Sequence, residues 1–189
     1  MSNYFVYDKD FYKFTLGGIT MANPIILERV TKMTNNYQKE LSDLLINIVE
    51  SEASVGFLPP LNKTEAFNYW KNIVGLDEIL VIAKLENEIV GTVQIQMCRK
   101  ENGKHRAEIA KLMTHPNYQR MGIGRMLMQA AEQIAKEQSI SLLVLDTREG
   151  DVSNKLYKSI GYIEGGRIPS YALSANGKLD TTIYYYKII

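Results

Sequence analysis

The stretch from Arg106 to Asp146 constrains the architecture more than any other part of the chain. Arg106–Thr114 reads as a strand that Pro116 stops, and Gly124–Gln138 puts Met126, Leu127, Ala130, Ala131, Ile134 and Ala135 on one helical stripe. Ser141–Asp146 (Ser-Leu-Leu-Val-Leu-Asp) follows, almost wholly apolar, as expected of a strand covered on both faces. A strand, a helix and a buried strand in that order form a parallel pair joined by a crossover. The sheet of this chain must therefore contain at least one parallel pair.

The remaining pattern fills in around it. Ile25–Val30 reads as a strand, and Asn35–Ser51 carries Leu41, Leu44, Leu45, Ile48 and Val49 at amphipathic-helix spacing. After a break at Gly56, Pro59 and Pro60, Asn62 and Glu65 make a capping box for a helix with Ala66, Tyr69, Trp70 and Ile73 on one face, closed by Gly75. Ile79–Leu85 and Ile89–Cys98 precede Arg106–Thr114 as an antiparallel meander, through Glu86-Asn87-Glu88 and a turn containing Asn102-Gly103. Glu132 and Lys136 are expected to pair on the exposed side of their helix. Asp151 is expected to cap a short helix with Val152, Leu156 and Ile160 inward, and Tyr162–Tyr171 and Thr181–Ile188 close the sheet around Asn176-Gly177. The order βααβββαβαββ describes one α/β domain over residues 21–189. Residues 1–20, rich in aromatics, read as an appended extension of unknown role, with a docked extra element as the rival reading.

Composition narrows the function classes. With 22 Lys plus Arg against 21 Asp plus Glu, the net charge of +1 supplies no field to collect nucleic acid. One cysteine, Cys98, forbids an intrachain disulfide, and with only His105 and His115 beside it no conventional metal site is expected. No apolar run approaches the roughly 18 residues that cross a bilayer, and Asp8, Lys9 and Asp10 interrupt the leader where a signal peptide would be apolar. A cytoplasmic protein with no membrane or nucleic-acid partner is the expectation.

Gln119-Arg120-Met121-Gly122-Ile123-Gly124-Arg125 lies between a strand and a strong helix. Two glycines two apart let consecutive N–H groups point at an anion from the helix N-terminus, as a pyrophosphate cradle does. No Gly-Lys-Ser/Thr follows, and the third glycine of a dinucleotide fingerprint is replaced by Leu127. In its setting, before a strand and a short helix ending Leu156-Tyr157-Lys158-Ser159-Ile160-Gly161-Tyr162, the motif resembles the GCN5-related N-acetyltransferase (GNAT) family, over roughly Ile25 to Ile189. Ala53-Ser54-Val55-Gly56-Phe57-Leu58-Pro59-Pro60, Leu145-Asp146-Thr147 and Ile168-Pro169-Ser170-Tyr171-Ala172-Leu173 are similar to its tabtoxin-resistance branch, which acetylates an amine of a β-lactam dipeptide toxin.

The resemblance implies a mixed, mostly antiparallel sheet of about seven strands flanked by four helices, with a splayed parallel pair. It implies acetyl-CoA as co-substrate, without a metal. Backbone groups of Leu112, Met113 and Thr114 would pair with the pantetheine arm, an N–H near Met113 would face the oxyanion, and Gln119, Arg120, Met121, Gly122, Ile123, Gly124 and Arg125 would hold the pyrophosphate. Glu108 and Asp146 would remove the proton of the amine, although strand carboxylates are also ordinary salt-bridge partners, with Arg106, Lys111 and Arg148 near in sequence. Tyr157 would protonate the thiolate and Asn154 would contact the cofactor, while Phe57, Trp70 and Tyr171 would line the substrate entrance. Cys98 lacks an evident base partner and is read as structural. These readings imply N-acetylation of a small-molecule amine, toxin or amino-acid-like, by direct transfer in a ternary complex. Protein or peptide acetylation, or a non-catalytic acetyl-CoA-binding module, are the alternatives. Tyr184, Tyr185 and Tyr186 on a terminal strand leave a homodimer open.

Overall fold

The computed structural model describes residues 5–8, 11–14 and 24–189, except 72 and 76. Its sheet has nine strands in the order β1-β2-β3-β4-β5-β6-β7-β9-β8. The first two, β1 (Phe5–Asp8) and β2 (Phe11–Phe14), form a hairpin that pairs antiparallel with β3 (Ile26–Val30). The others are β4 (Glu78–Leu85), β5 (Glu88–Met97), β6 (Arg106–Thr114), β7 (Leu142–Arg148), β8 (Ile163–Leu173) and β9 (Leu179–Ile188). Only β6 and β7 run parallel, as the buried strand after a helix required.

Four helices cover this sheet: α1 (Asn35–Glu50), α2 (Lys63–Trp70), α3 (Ile123–Glu137) and α4 (Ser153–Ser159). The alternation of the strands divides the core in two. On one face α3 and Tyr157 of α4 pack on Val81, Val93, Ile95, Ala107, Ile109, Leu143 and Leu145. On the other, α1 and α2 bury Leu41, Leu45, Ala66 and Trp70 against Leu80, Ile82 and Met113. The Asn62 side chain accepts from the N–H of Glu65 at 2.8 Å, the expected cap, but α2 ends at Trp70 rather than running to Gly75. Glu86 and Asn87 both have positive φ, the two-residue turn whose twist matches a hairpin.

Four local expectations are corrected. Asp151 does not cap α4: its Oδ1 accepts from Arg148 Nε and Nη2, at 3.0 and 2.9 Å, and the first residue before the helix, Val152, offers no side-chain cap. Val152 is not inward but 73% exposed, and Tyr157 takes the buried position of that helix. Glu132 does not face Lys136 on the surface, because Lys187 Nζ reaches it from β9 at 2.7 Å. Trp70 cannot line an entrance, since it is fully buried beneath α2 with Tyr69 packed edge-on at 4.9 Å.

Candidate active site

Past His115, whose ring Nδ1 accepts from the N–H of Asn117, the chain makes a turn that is left-handed at Arg120 (φ 66°) and again at Gly122 (φ 81°). Gly122 is the residue before α3, and it carries no side chain to cap the helix, so the first amides of α3 have no side-chain acceptor. The two glycines serve different purposes. Gly122 has open space around it and is needed for its backbone conformation, whereas a Cβ on Gly124 would lie 3.3 Å from Leu156 of α4 and 3.9 Å from Thr114 Oγ1. Gly124 therefore keeps the floor between β6 and α4 clear. Gln119, Arg120 and Met121 are exposed, while Arg125 is held aside by a 2.8 Å bond from Nη2 to Ser159 Oγ.

The parallel pairing of β6 and β7 is short. Arg106, Ala107 and Glu108 pair with Leu142, Leu143 and Val144, and beyond that point the strands part. The β7-facing backbone of β6 from Ile109 to Thr114, which includes Leu112, Met113 and Thr114, thus has no strand partner on that side. Glu108 is the last paired residue at the apex of this V. Asp146, two residues past Val144, lies on the same face by strand alternation and sits opposite Tyr184 of β9.

Glu108 and Asp146 are both exposed, and Asp146 Oδ2 accepts from Thr182 Oγ1 at 2.9 Å. Asp146 thus has one oxygen held within the protein and the other left for a ligand. Partial burial raises the Glu108 carboxyl above its ordinary value, and the Asp146 charge raises it further, against Lys111 and Arg106. Among the described residues neither carboxylate forms the salt bridge that was the rival reading; Arg148 binds Asp151 instead.

Lys111 is the residue that sequence reading placed only as a neighbour. In β6 one residue of β5, Val93, faces both Lys111 and Leu112, because Thr92 pairs with Met113 and Gln94 with Ala110. This β-bulge puts Lys111 at φ 48° and leaves its carbonyl to accept from the fully buried Thr92 Oγ1 at 2.9 Å. Its ammonium lies 5.8 Å from the ring centre of Phe57 and 5.5 Å from that of Tyr69. Tyr69 is in turn oriented by its hydroxyl, which donates to Gln94 Oε1 at 3.1 Å. Burial lowers the Lys111 ammonium, with Asp146 and Glu108 opposing.

On the other side of the V, Tyr157 is buried, its ring 5.8 Å from Tyr185 and 6.0 Å from Tyr162. Its hydroxyl is pushed well above its ordinary value, chiefly by burial, then by Asp146, Asp151 and Tyr185, so it stays protonated throughout the physiological range. The influence of Asp146 places that hydroxyl within electrostatic reach of the V. Asn154 is committed within the protein: Nδ2 donates to the carbonyls of Arg148 (2.8 Å) and Asp151 (2.9 Å), and Oδ1 accepts from Tyr185 (2.9 Å).

A cleft of about 530 Å³ flanks the site, between the loop after α1 and the β8–β9 turn, lined by Gly56, Phe57, Glu65, Arg148, Leu173 and Ser174 among others. Arg148 ties its walls together, donating to the Glu52 carbonyl (3.0 Å) and to Ser174 Oγ (3.1 Å) besides Asp151. Tyr171, half-exposed, accepts from the Tyr184 hydroxyl at 2.8 Å, the bond that does most to push Tyr184 up to about 12. The structure therefore gathers Glu108, Asp146, Lys111, Phe57, Tyr69, Tyr171 and Tyr184 on one face of the sheet, with Tyr157 on the opposite one. Among the described residues no group of His, Cys, Asp and Glu is arranged to hold a metal ion.

Residues 44–162 match the Acetyltransferase (GNAT) family. An uncharacterized N-acetyltransferase from the hisH-hisA intergenic region of Azospirillum brasilense is 25% identical over 128 residues, which is 66% of this chain and 76% of that protein. Among solved structures, the ribosomal-protein-alanine N-acetyltransferase of Brucella melitensis superposes with a TM-score of 0.73 at 19% identity, over 86% of this chain and 99% of that one. An aminoglycoside 6'-N-acetyltransferase complexed with coenzyme A does so with a TM-score of 0.67 at 17% identity, over 86% and 96% of the two chains.

Proposed function

The chain belongs to the acetyltransferase (GNAT) family and is an acetyl-CoA-dependent N-acetyltransferase, and we propose that its acceptor is the amine of a small molecule, acetylated by direct transfer in a ternary complex. The observation that carries this reading is the splayed β6/β7 pair with Glu108 at its apex and Asp146 on its other arm, near an open cleft of about 530 Å³. That an aminoglycoside acetyltransferase shares the fold is compatible with it.

The residues present fit acetyl-CoA. The uncapped N-terminus of α3 and the left-handed turn at Arg120 and Gly122 offer backbone N–H groups to a pyrophosphate, with Arg120 free to add charge. The unpartnered backbone of Leu112, Met113 and Thr114 would hold the pantetheine arm. When bound, acetyl-CoA supplies a thioester, the electrophile that an amine attacks.

The chain's own groups manage the protons. Glu108 and Asp146 attract the acceptor ammonium, and either Glu108 or Asp146 Oδ1, the oxygen not held by Thr182, takes its proton and leaves the neutral nitrogen that can attack. With acetyl-CoA bound, the Tyr157 hydroxyl, kept protonated by burial, would give a proton to the leaving sulfur and would regain one through solvent as the acetylated nitrogen sheds its second proton. Cys98 is not needed as a relay: its sulfur faces Gly103 in the turn before β6 rather than the V. A screen of amines with thiol detection tests the reading. Acceptor-dependent CoA release with one or more small amines is expected; release only with peptides or proteins would transfer the acceptor to that class, and none with either would leave only a cofactor-binding module.

A further inference from the structure

Lys111 is spent neither on the core nor on an ion pair. Regular alternation along Ala107, Ile109 and Lys111 would drive its side chain into the core beside α3, and the bulge turns it to the face that carries Glu108. A non-glycine residue at φ 48° is strained, and the strain is borne where it brings a cation to the mouth of the V. Among the described residues its ammonium makes no hydrogen bond and no salt bridge; the rings of Phe57 and Tyr69 hold it, and Asp146 and Glu108 attract it from beyond contact distance. The loop after α1 passes over it at Gly56, where even a Cβ would come within 3.4 Å of Nζ. Gly56 and Phe57 also line the cleft, so the ammonium stands at its edge, half-buried and not enclosed.

The site thus carries both signs on one surface: carboxylates suited to an ammonium, and an unpaired ammonium suited to an anion. We propose that Lys111 binds a carboxylate carried by the acceptor, so that the substrates of this enzyme are amino acids or amines of amino-acid character. Glu108 and Asp146 take one end of such a zwitterion and Lys111 the other. A carboxylate at the edge of the cleft, beside Phe57, gains a charge-assisted hydrogen bond to Nζ that an amine without the acid group cannot make. This inference rests on the small-amine reading of the site.

The test uses the full chain loaded with CoA and matched probes: phenylalanine, phenylalaninamide and phenethylamine, with methionine, methioninamide and 3-(methylthio)propylamine as a second set. Dissociation constants are read by NMR titration, and thiol release is followed in parallel with acetyl-CoA. In the wild type the acid of at least one set should bind about ten- to a hundredfold more tightly than its amide and amine, the range of one charge-assisted hydrogen bond. Lys111→Met, which keeps an unbranched apolar stem between the two rings, should bring that ratio to about one, and Lys111→Arg should retain part of it. An unchanged melting temperature separates this effect from misfolding, and if Lys111→Met unfolds, Lys111→Gln, which keeps a polar end without the charge, should weaken the acid preferentially. Amides and amines binding as tightly as the acids, or a preference that survives in Lys111→Met, would overturn the assignment while leaving the small-amine reading intact. Failure of every probe to bind or react would overturn both.

Discussion

Lys111 shows what a single residue can hide. Its position was readable as a contradiction: strict alternation puts a lysine in phase with Ala107 and Ile109, and only a bulge resolves it. The presence of Glu108 and Asp146 on the two arms of the V was legible, because a parallel pair fixes which residues stand at its mouth; their solvent exposure and the Thr182 bond were not, because those depend on β9. Glu108 titrates above the ordinary carboxylate range through burial and then Asp146, while Lys111 pulls it down. Following its side-chain carboxyl by ¹³C NMR, Asp146→Asn should therefore lower the midpoint and Lys111→Met raise it. The sign also fixes a stability term: a raised folded-state carboxyl contributes stability below the ordinary glutamate range, and that contribution is lost as pH rises through the folded value. Activity has the opposite dependence, failing on the acid side as Glu108 takes up its proton. Tyr157→Phe isolates the other proton: the hydroxyl makes no hydrogen bond among the described residues, so the melting temperature should hold within a degree or two, whereas kcat should fall about a hundredfold if it is the donor. An unaltered kcat would return Tyr157 to packing.

At the scale of the element, the bulge in β6 and the turn before α3 do the positioning. The helices and strands were readable because their apolar periods are long and unambiguous, as in α3 and β4. The start of α4 was not, since a seven-residue helix carries little periodicity and its neighbourhood is organised by Arg148 and Asn154 from outside it. Trp70 was misassigned for a related reason: α2 presents Tyr69 and Trp70 in succession, and only the tilt of the helix decides that Trp70 goes under and Tyr69 faces Lys111. The bulge depends on Thr92, whose buried hydroxyl satisfies the carbonyl that the ladder gives up. Thr92→Val keeps the shape and removes the donor, so it should cost about 1–3 kcal/mol in urea unfolding, the range for leaving one buried polar group unsatisfied. It should also loosen the Lys111 backbone, visible as faster amide exchange at Lys111 and Leu112. A stability within about 0.5 kcal/mol of wild type would mean that the bulge is held by other contacts.

Across the whole molecule, the two faces of one sheet divide the work. The α3 and α4 face carries the left-handed turn before α3 and Tyr157, the α1 and α2 face carries the carboxylates, Lys111 and the cleft, and the V between β6 and β7 connects them. The hairpin of β1 and β2 lies at the far edge of the sheet, with four strands, β3 to β6, between it and β7, and is not placed to serve the V. Acetyl-CoA would occupy that V, entering from the turn before α3. Calorimetric titration of acetyl-CoA into the wild type and Gly124→Asp tests this most directly. An aspartate in the first turn of a helix favours the helix dipole, and its Cβ meets the flexible end of Leu156 and touches Thr114 Oγ1 at ordinary contact distance, so the fold should persist. The negative charge, however, would repel a pyrophosphate held at the start of α3. Saturable binding to the wild type with one site per chain, and at least a tenfold loss of affinity in Gly124→Asp at unchanged melting temperature, is the predicted result; equal affinity in the two proteins, or no binding to the wild type, would contradict it.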